Sequence, residues 1–397
     1  MTLFDLVPLW KASIAAGLTF LAIWALVRNK TLSGVLDPEI LIIFQITFTF
    51  FVLILIGLLP LGDVIGFLLF FAILGATRLK QRGLRPLISE EEWIRFSVPL
   101  FVLLLILNVY LSYHKGFLLL SRDLSTARLD FYEQWGLFKR LNDFGVGVLG
   151  ISAFYMWDRG RKRLSILYFV FCSYLMLSLG SRIGLITFLP LYGAYTRFRK
   201  SKTSPVKIVV AAGVLGITSL SLFYVMFREQ FMTQFLYRVI AFSDGPIYYY
   251  YPRPLRNLSY SPLYCLDQFL VAARIKPQIS YLPLGRVLDF RFLGFDTPLM
   301  GPNPQFTVES HVIFGVGYLL WYVFAALFFS LARRSTSTPF SFFLVCSIVG
   351  PFLIDSQYGG SQLFTAIIGL TLLLFMTCVR KLAVFAAYSA QFPTEGQ

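Results

Sequence analysis

Charged residues are scarce in this chain of 397 residues: Asp, Glu, Lys and Arg make up 14%, whereas hydrophobic residues make up 57%. Soluble domains carry about 25% charged residues, so the composition excludes an ordinary soluble protein and is typical of a polytopic membrane protein. Basic residues outnumber acidic ones, 35 to 20, but they lie in short clusters between apolar runs. Such clusters are typical of cytoplasmic loops, and we expect no nucleic-acid partner.

Histidine and cysteine are also rare. The chain has only two histidines, His114 and His311, and four cysteines, of which Cys265 alone lies outside the predicted spans. No spacing among them is that of a zinc site or of a disulfide framework. An acidic cluster of the Asp-x-Asp type that would hold a catalytic metal is also missing. The sequence therefore predicts no metal and no other cofactor.

Apolar runs recur along the whole chain. A transmembrane helix needs roughly 17–25 mainly apolar residues, and about eleven segments approach this length. They are 12–27, 40–59, 63–77, 97–113, 143–157, 164–180, 183–197, 207–227, 311–332, 339–355 and 362–379. Because an acidic residue and a proline precede the first run, we interpret it as a helix and not as a cleavable signal. We expect an all-α polytopic membrane protein with one integral membrane domain over residues 1–397.

The connecting charges predict the orientation. Basic clusters lie at 28–30, 78–85, 159–163, 197–207, 333–334 and 380–381. All of them fall on one face if every span is counted, which makes that face cytoplasmic. The N-terminus is then periplasmic and the C-terminus is cytoplasmic. On the external face lie residues 114–142, the 181–182 junction, the large loop 228–310 and a short turn at 356–361.

The loop 228–310 is rich in basic residues, which are normally depleted outside the cytoplasm. They are Arg228, Arg238, Arg253, Arg256, Arg274, Lys276, Arg286 and Arg291. The commonest physical reason for such arginines is an anionic ligand. Hydrophobic spacing favours helices over 228–243 and, more weakly, over 263–275. The tyrosines at 248–251 either form an aromatic belt at the membrane interface or stack on sugar rings.

Two further arginine patterns lie at external membrane edges. Arg182 is in the sequence Gly-Ser-Arg-Ile-Gly between two apolar runs, and Arg122 and Arg128 lie in a short segment that also contains Asp123 and Asp130. Arg182 either reaches lipid headgroups or binds a lipid-linked phosphate. Arg122 and Arg128 either belong to a solvated, salt-bridged helix face or bind the same ligand.

Glu309 and His311 lie at the external mouth of a span. On a helix, residues two apart point about 200° away from each other, so both cannot face one site. One of them is a candidate general base, and the alternative for Glu309 is a cap at the start of its own helix. The spans contain almost no ionisable residues, which counts against an ion-coupled transporter.

The order of these features resembles the Wzy-type O-antigen polymerase family. The matching elements are the external loop with Arg122 and Arg128, the Gly-Ser-Arg-x-Gly junction, one large external loop, and a Pro- and Gly-rich approach to Glu309 followed by Phe-Gly-x-Gly. The related O-antigen ligases share this layout and typically use external arginines plus a histidine near the end of the large loop. His311 matches that histidine.

The resemblance implies a glycosyltransferase of the bacterial inner membrane. It would polymerise undecaprenyl-pyrophosphate-linked repeat units at the periplasmic face, without metal, and with lipid pyrophosphate as the leaving group. The resemblance implies either Glu309 or His311 as the general base. Binding of pyrophosphate would fall to Arg122, Arg128, Arg182, Arg228, Arg253, Arg256 and Arg286.

The expected partners are the lipid-linked oligosaccharide and membrane lipid, and binding of a chain-length regulator protein stays open. Two alternatives to the polymerase remain at this point. One is an O-antigen ligase, which transfers finished glycan to lipid A–core. The other is a lipid-linked oligosaccharide flippase, although flippases usually have short loops and a charged cavity.

Overall fold

The computed structural model describes residues 3–34, 36–77, 86, 88–118, 131–132, 135–178, 187–199, 240–252, 258–294 and 302–391. These residues form helices and connections, with no strand in any of these ranges. The predicted all-helical fold class is confirmed. The tight turns Ala241–Ser243 and Gly315–Gly317 are 3₁₀ helices that lead directly into longer α-helices.

Fifteen α-helices cover most of the described residues. In chain order they are α1 Leu3–Leu6, α2 Leu9–Arg28, α3 Ile40–Leu55, α4 Leu61–Ala76, α5 Glu90–Lys115, α6 Gly136–Asp158, α7 Lys162–Ser178, α8 Phe188–Phe198, α9 Asp244–Tyr250, α10 Tyr264–Ala272, α11 Leu284–Leu293, α12 Gln305–Phe314, α13 Tyr318–Arg334, α14 Pro339–Ile354 and α15 Ser356–Gln391. The helix expected within 263–275 is therefore present as α10.

Four helical stretches in the described ranges are long and apolar enough to cross a membrane: Leu9–Arg28, Glu90–Lys115, Gln305–Arg334 and Ser356–Leu382. Three shorter apolar helices accompany them, namely α3, α4 and α14. Such helices are compatible with a multi-pass membrane protein. The expected span at 207–227 lies outside the described residues. The count of about eleven spans, the external loop and the orientation stay predictions.

The chain divides into two compact units. The first comprises Met1–Leu84 and Leu189–Phe364, and the second comprises Arg85–Phe188 and Thr365–Gln397. In the second unit, α5 begins with a capping box in which Ser89 and Glu92 satisfy each other's backbone N–H groups. Further along α5, the buried Asn108 amide donates to Asn142 of α6 at 3.0 Å, which joins these two helices in a way common between membrane helices.

The first unit has a core of aromatic rings. Phe306 at the start of α12 stacks on Phe70 of α4 at 4.8 Å between ring centroids, and it meets the Tyr322 ring of α13 edge-on at 5.1 Å. All three side chains are fully buried. This core fixes α4, α12 and α13 relative to one another, and the candidate site lies on these three helices.

A buried ion pair lies elsewhere in the first unit, where the topology predicts the cytoplasmic side. The Arg333 guanidinium donates to the carboxylate of Asp37, and both side chains are at most 1% exposed. Burial alone would raise the pKa of Asp37, but the charge and hydrogen bonds of Arg333 bring that pKa below its ordinary value. Burial also raises the pKa of the neighbouring Glu39 to about 8, against the opposing effect of Arg333.

Candidate functional site

Two glycines on α4 allow α13 to approach closely. A Cβ atom at Gly66 would lie 2.9 Å from the ring of Tyr322, and one at Gly62 would collide with the Tyr318 hydroxyl. Because Gly62 and Gly66 are one turn apart, as are Tyr318 and Tyr322, the two pairs face each other along the helix contact. Because Gly62 and Gly66 have no side chains, both tyrosines can lie close to Asp63.

Asp63 and His311 form the central contact of the site. Asp63 lies in the first turn of α4, and His311 Nε2 is 2.8 Å from its Oδ1 atom. The Tyr322 hydroxyl donates to the same oxygen at 3.0 Å. The Asp63 side chain is 1% exposed, whereas that of His311 is 21% exposed. A buried carboxylate therefore supports an imidazole that solvent or a substrate can reach.

Tyrosine rings fix the plane of the imidazole. The His311 ring stacks on Tyr318 at 4.3 Å and on Tyr249 at 5.7 Å, and it meets Tyr250 edge-on at 6.2 Å. Burial, and then the charge of Asp63, raises the pKa of Tyr249 to about 12, so its ring stays neutral at physiological pH. The stacked rings leave His311 little freedom to rotate.

The tyrosines at 248–250 are core residues. Tyr248, Tyr249 and Tyr250 are at most 4% exposed, and Tyr248 stacks on Phe292 with 3.9 Å between the centroids. Because these three rings are buried in the protein, they neither form a belt at the membrane interface nor offer a surface on which a sugar ring could stack. Both sequence interpretations are wrong for these three residues. As expected from Pro252, the helix α9 ends at Tyr250.

Glu309 points away from His311, which confirms the expectation that the two residues face different sides of the helix. Its Oε1 atom accepts hydrogen bonds from the backbone N–H of Ser356 at 2.8 Å and from the Ser356 hydroxyl at 2.9 Å. Glu309 is the fifth residue of α12, and both bonds go to another helix, so it does not cap its own. It instead caps α15, where the helix dipole favours a carboxylate.

The start of α15 also corrects the predicted turn at 356–361. The chain bends at Asp355, and the residues from Ser356 onward are helical. The Asp355 side chain accepts hydrogen bonds from the backbone N–H groups of Gln357 at 2.9 Å and Tyr358 at 3.3 Å, which is typical of an N-cap. Two carboxylates, Asp355 and Glu309, thus satisfy the first N–H groups of α15.

The Pro-rich approach to α12 fixes where His311 lies. Gln305 has a φ angle of +58°, and its side-chain amide donates to Thr49 Oγ1 and to the carbonyl of Phe242, both at 2.8 Å. Gly245 passes so close to the Asn303 carbonyl that a Cβ atom there would collide with it. These contacts tie the first residue of α12 to α3 and to the segment before α9.

Of the predicted pyrophosphate ligands, only Arg286 lies among the residues that the structure describes. Arg122, Arg128, Arg182, Arg228, Arg253 and Arg256 lie outside the described residues. Arg286 is described and is half-buried in α11. A further arginine of the loop, Arg291, donates to the carbonyl of Tyr249 at 3.0 Å. One arginine is thus anchored to a residue that packs on His311, and convergence of the other arginines stays a prediction.

The sequence interpretation missed Asp63, Tyr318 and Tyr322. Asp63 had a usable signal, because an acidic residue at the start of an apolar helix is rare and usually functional. The pattern Gly62-x-x-x-Gly66 indicates close approach of another helix but does not identify which helix. In the described ranges, no three His, Cys, Asp or Glu side chains are grouped in a way that could hold a metal ion.

Comparison with known proteins adds no family. Family models, curated proteins and solved structures all gave no match to this chain. The resemblance to O-antigen polymerases therefore depends on the order of short motifs, and the functional argument depends on the geometry around His311.

Proposed function

We propose that this chain is a membrane glycosyltransferase that polymerises undecaprenyl-pyrophosphate-linked O-antigen repeat units at the periplasmic face of the inner membrane. The observation that carries this proposal is the contact of His311, 21% exposed, with the buried carboxylate of Asp63 at 2.8 Å. A partly exposed imidazole held by a carboxylate is a common arrangement of a general base.

The proposed reaction is a substitution at an anomeric carbon. His311 accepts the proton of the acceptor hydroxyl while the hydroxyl oxygen forms a bond to the anomeric carbon of the growing glycan. The bond between that carbon and the lipid pyrophosphate breaks, and the pyrophosphate leaves with the bonding electrons. General-base assistance of this kind contributes typically about 10²–10⁴-fold to a rate.

Arginines would stabilise the leaving group. A guanidinium stays ionised and offers paired donors that match phosphate oxygens. Loss of one such contact would raise the barrier by about 2–4 kcal/mol, as for other groups that stabilise a developing negative charge. Arg122, Arg128, Arg182, Arg228, Arg253, Arg256 and Arg286 are the proposed ligands.

Glu309 fits the role of base less well than His311. Its side chain is fully buried, and its Oε1 atom is occupied by the two hydrogen bonds from Ser356. We therefore assign the general base to His311 and a structural role to Glu309.

The two histidines provide a matched test. In cells that depend on this chain for polysaccharide, His311→Asn is expected to abolish long products, leaving single repeat units. The products form a ladder of increasing polysaccharide length on a gel. His114→Asn at the end of α5 is the control and is expected to leave this product ladder intact. A full ladder from His311→Asn, at equal protein level, would overturn the assignment of the base.

An unchanged ladder from Arg182→Ala or Arg256→Ala would reject that arginine as a ligand.

An O-antigen ligase is the second candidate, because a histidine near the end of the large external loop is typical of ligases and His311 directly follows the predicted loop 228–310. The product attached to lipid A–core in a null strain separates the two. One attached repeat unit indicates a lost polymerase, whereas no attached glycan indicates a lost ligase. Lipid-linked substrate trapped on the cytoplasmic face would contradict both and would indicate a flippase.

A further inference from the structure

We infer that Asp63 and Tyr322 are positioning residues that hold His311 in one tautomer, with the ring proton on Nε2 and with Nδ1 available as the proton acceptor. The catalytic consequence rests on the proposed function. The tautomer itself does not, and it can be measured without any substrate.

The hydrogen bonds around Asp63 determine the tautomer. An ionised carboxylate can only accept hydrogen bonds, so the ring nitrogen at 2.8 Å from Oδ1 must carry the proton. The Tyr322 hydroxyl donates to the same oxygen at 3.0 Å and limits rotation of the carboxylate. Among the described residues, no Lys or Arg forms an ion pair with Asp63, and His311 is its only ion-pair partner.

The surrounding elements leave the other ring nitrogen as the reactive one. The titratable groups that face the imidazole are Asp63 from α4, Tyr318 and Tyr322 from α13, and Tyr249 and Tyr250 from α9. The stacked tyrosines hold the ring plane while Asp63 holds Nε2. Nδ1 is then the nitrogen that can accept the proton of a sugar hydroxyl.

The wrong tautomer would stop proton transfer, because an Nδ1–H group has no lone pair for the hydroxyl proton. In Ser-His-Asp enzymes, changing the orienting Asp to Asn preserves the geometry yet lowers kcat by about 10⁴ through this effect. A comparable exchange at Asp63 should therefore reduce transfer on the order of 10²–10⁴-fold.

The sequence makes a direct measurement simple. Because the chain has only two histidines, a His114→Asn protein labelled with ¹⁵N-histidine gives imidazole signals from His311 alone. We expect the neutral ring to show protonated Nε2 and unprotonated Nδ1. In Asp63→Asn we expect both tautomers, because an amide can donate to Nε2 or accept from it.

The role of Tyr322 is tested by combining substitutions. If Tyr322 acts through Asp63, then Tyr322→Phe should lower the transfer rate alone but have no further effect in the Asp63→Asn background. Independent, additive effects of the two substitutions would overturn that part of the inference.

Matched controls separate positioning from general destabilisation. Asp267 is a buried acid that accepts hydrogen bonds from the backbone N–H groups of Ser280 and Tyr281, and Tyr264 is a buried tyrosine whose hydroxyl accepts from the Leu284 N–H. Asp267→Asn and Tyr264→Phe should reduce stability while leaving the His311 signals unchanged.

Two results would overturn the inference on Asp63. One is a neutral His311 ring with the proton on Nδ1 in the otherwise unsubstituted site, a measurement that remains possible even if Asp63→Asn does not fold. The other is a single, unchanged tautomer in Asp63→Asn. A correct tautomer together with a normal product ladder from His311→Asn would instead refute the proposed function and leave the positioning role standing.

Discussion

Substitution of Glu309 separates a capping role from a catalytic one. We expect Glu309→Ala to unfold the protein readily and Glu309→Gln to preserve most of its stability and activity. The reason is that Glu309 Oε1 accepts both the N–H and the hydroxyl of Ser356 at the start of α15. An amide oxygen can accept the same two hydrogen bonds, whereas a methyl group cannot.

The structure gives the size of the effect. Each buried donor that loses its partner costs about 1–3 kcal/mol, so Glu309→Ala should lose about 2–6 kcal/mol from two donors alone. In Glu309→Gln both hydrogen bonds from Ser356 are kept, so the cost should be less than about 2 kcal/mol. The other carboxylate oxygen, Oε2, makes no hydrogen bond with any described residue, so the new amide nitrogen breaks none.

Thermal unfolding in detergent and the product ladder should be measured on the same preparations. We expect a large loss of Tm in Glu309→Ala and a near-normal Tm and ladder in Glu309→Gln. The reasoning is refuted if Glu309→Gln keeps its Tm but loses the ladder, because Glu309 would then be the base. Equal stability of the Ala and Gln variants would refute the capping role.

Three further predictions use other contacts. Asp37→Ala leaves the buried Arg333 guanidinium without its partner and should lower the free energy of unfolding by about 3–5 kcal/mol. The control Glu91→Ala, in an exposed ion pair, should lower it by at most about 1 kcal/mol. Chemical unfolding measures both values. Burial raises the pKa of Glu39 from 4.5 to about 8. The protonation of Glu39 therefore stabilises the folded state fully below pH 4.5, and this stabilisation is lost as the pH rises through 8. Glu39→Gln should therefore flatten the fall of Tm over this pH range. Gly66→Ala should lower Tm because the new methyl group would lie 2.9 Å from the Tyr322 ring, at a packing cost of about 1–3 kcal/mol. The control Gly17→Ala in α2 should not lower Tm, because the space around Gly17 is open.

Local structure was largely predictable from the sequence, because it follows from local patterns. Long apolar runs indicated most of the described helices, and hydrophobic spacing indicated α10. The 200° separation of Glu309 and His311 follows from helix geometry alone. These properties depend on neighbouring residues and need no knowledge of the tertiary packing.

The partners of the site residues could not be predicted. His311 and Asp63 are 248 residues apart in the chain, and Glu309 and Ser356 are 47 apart. Apolar periodicity shows that a helix packs against something but not against which helix. Gly62 and Gly66 on α4 indicate that another helix approaches closely, but the sequence does not show that the tyrosines of α13 are the residues that do so.

The ionisable groups show the same limit. The spans have few of them, as the composition indicated. The structure nevertheless buries Asp63 in the first turn of α4 and Glu309 against the start of α15, and it pairs Asp37 with Arg333. One oxygen of each carboxylate accepts a hydrogen bond from a group distant in sequence. Their burial is therefore a tertiary property, and the apolar character of the spans alone does not decide between an enzyme and a transporter.

The most direct test of the central claim is a reaction with purified components. Protein in detergent or vesicles is incubated with an undecaprenyl-pyrophosphate-linked repeat unit, and the products are separated by size. We expect a ladder of glycans from the unsubstituted protein and from His114→Asn, and only single repeat units from His311→Asn. No ladder from folded, unsubstituted protein, or an equal ladder from His311→Asn, would contradict a polymerase that uses His311 as its base.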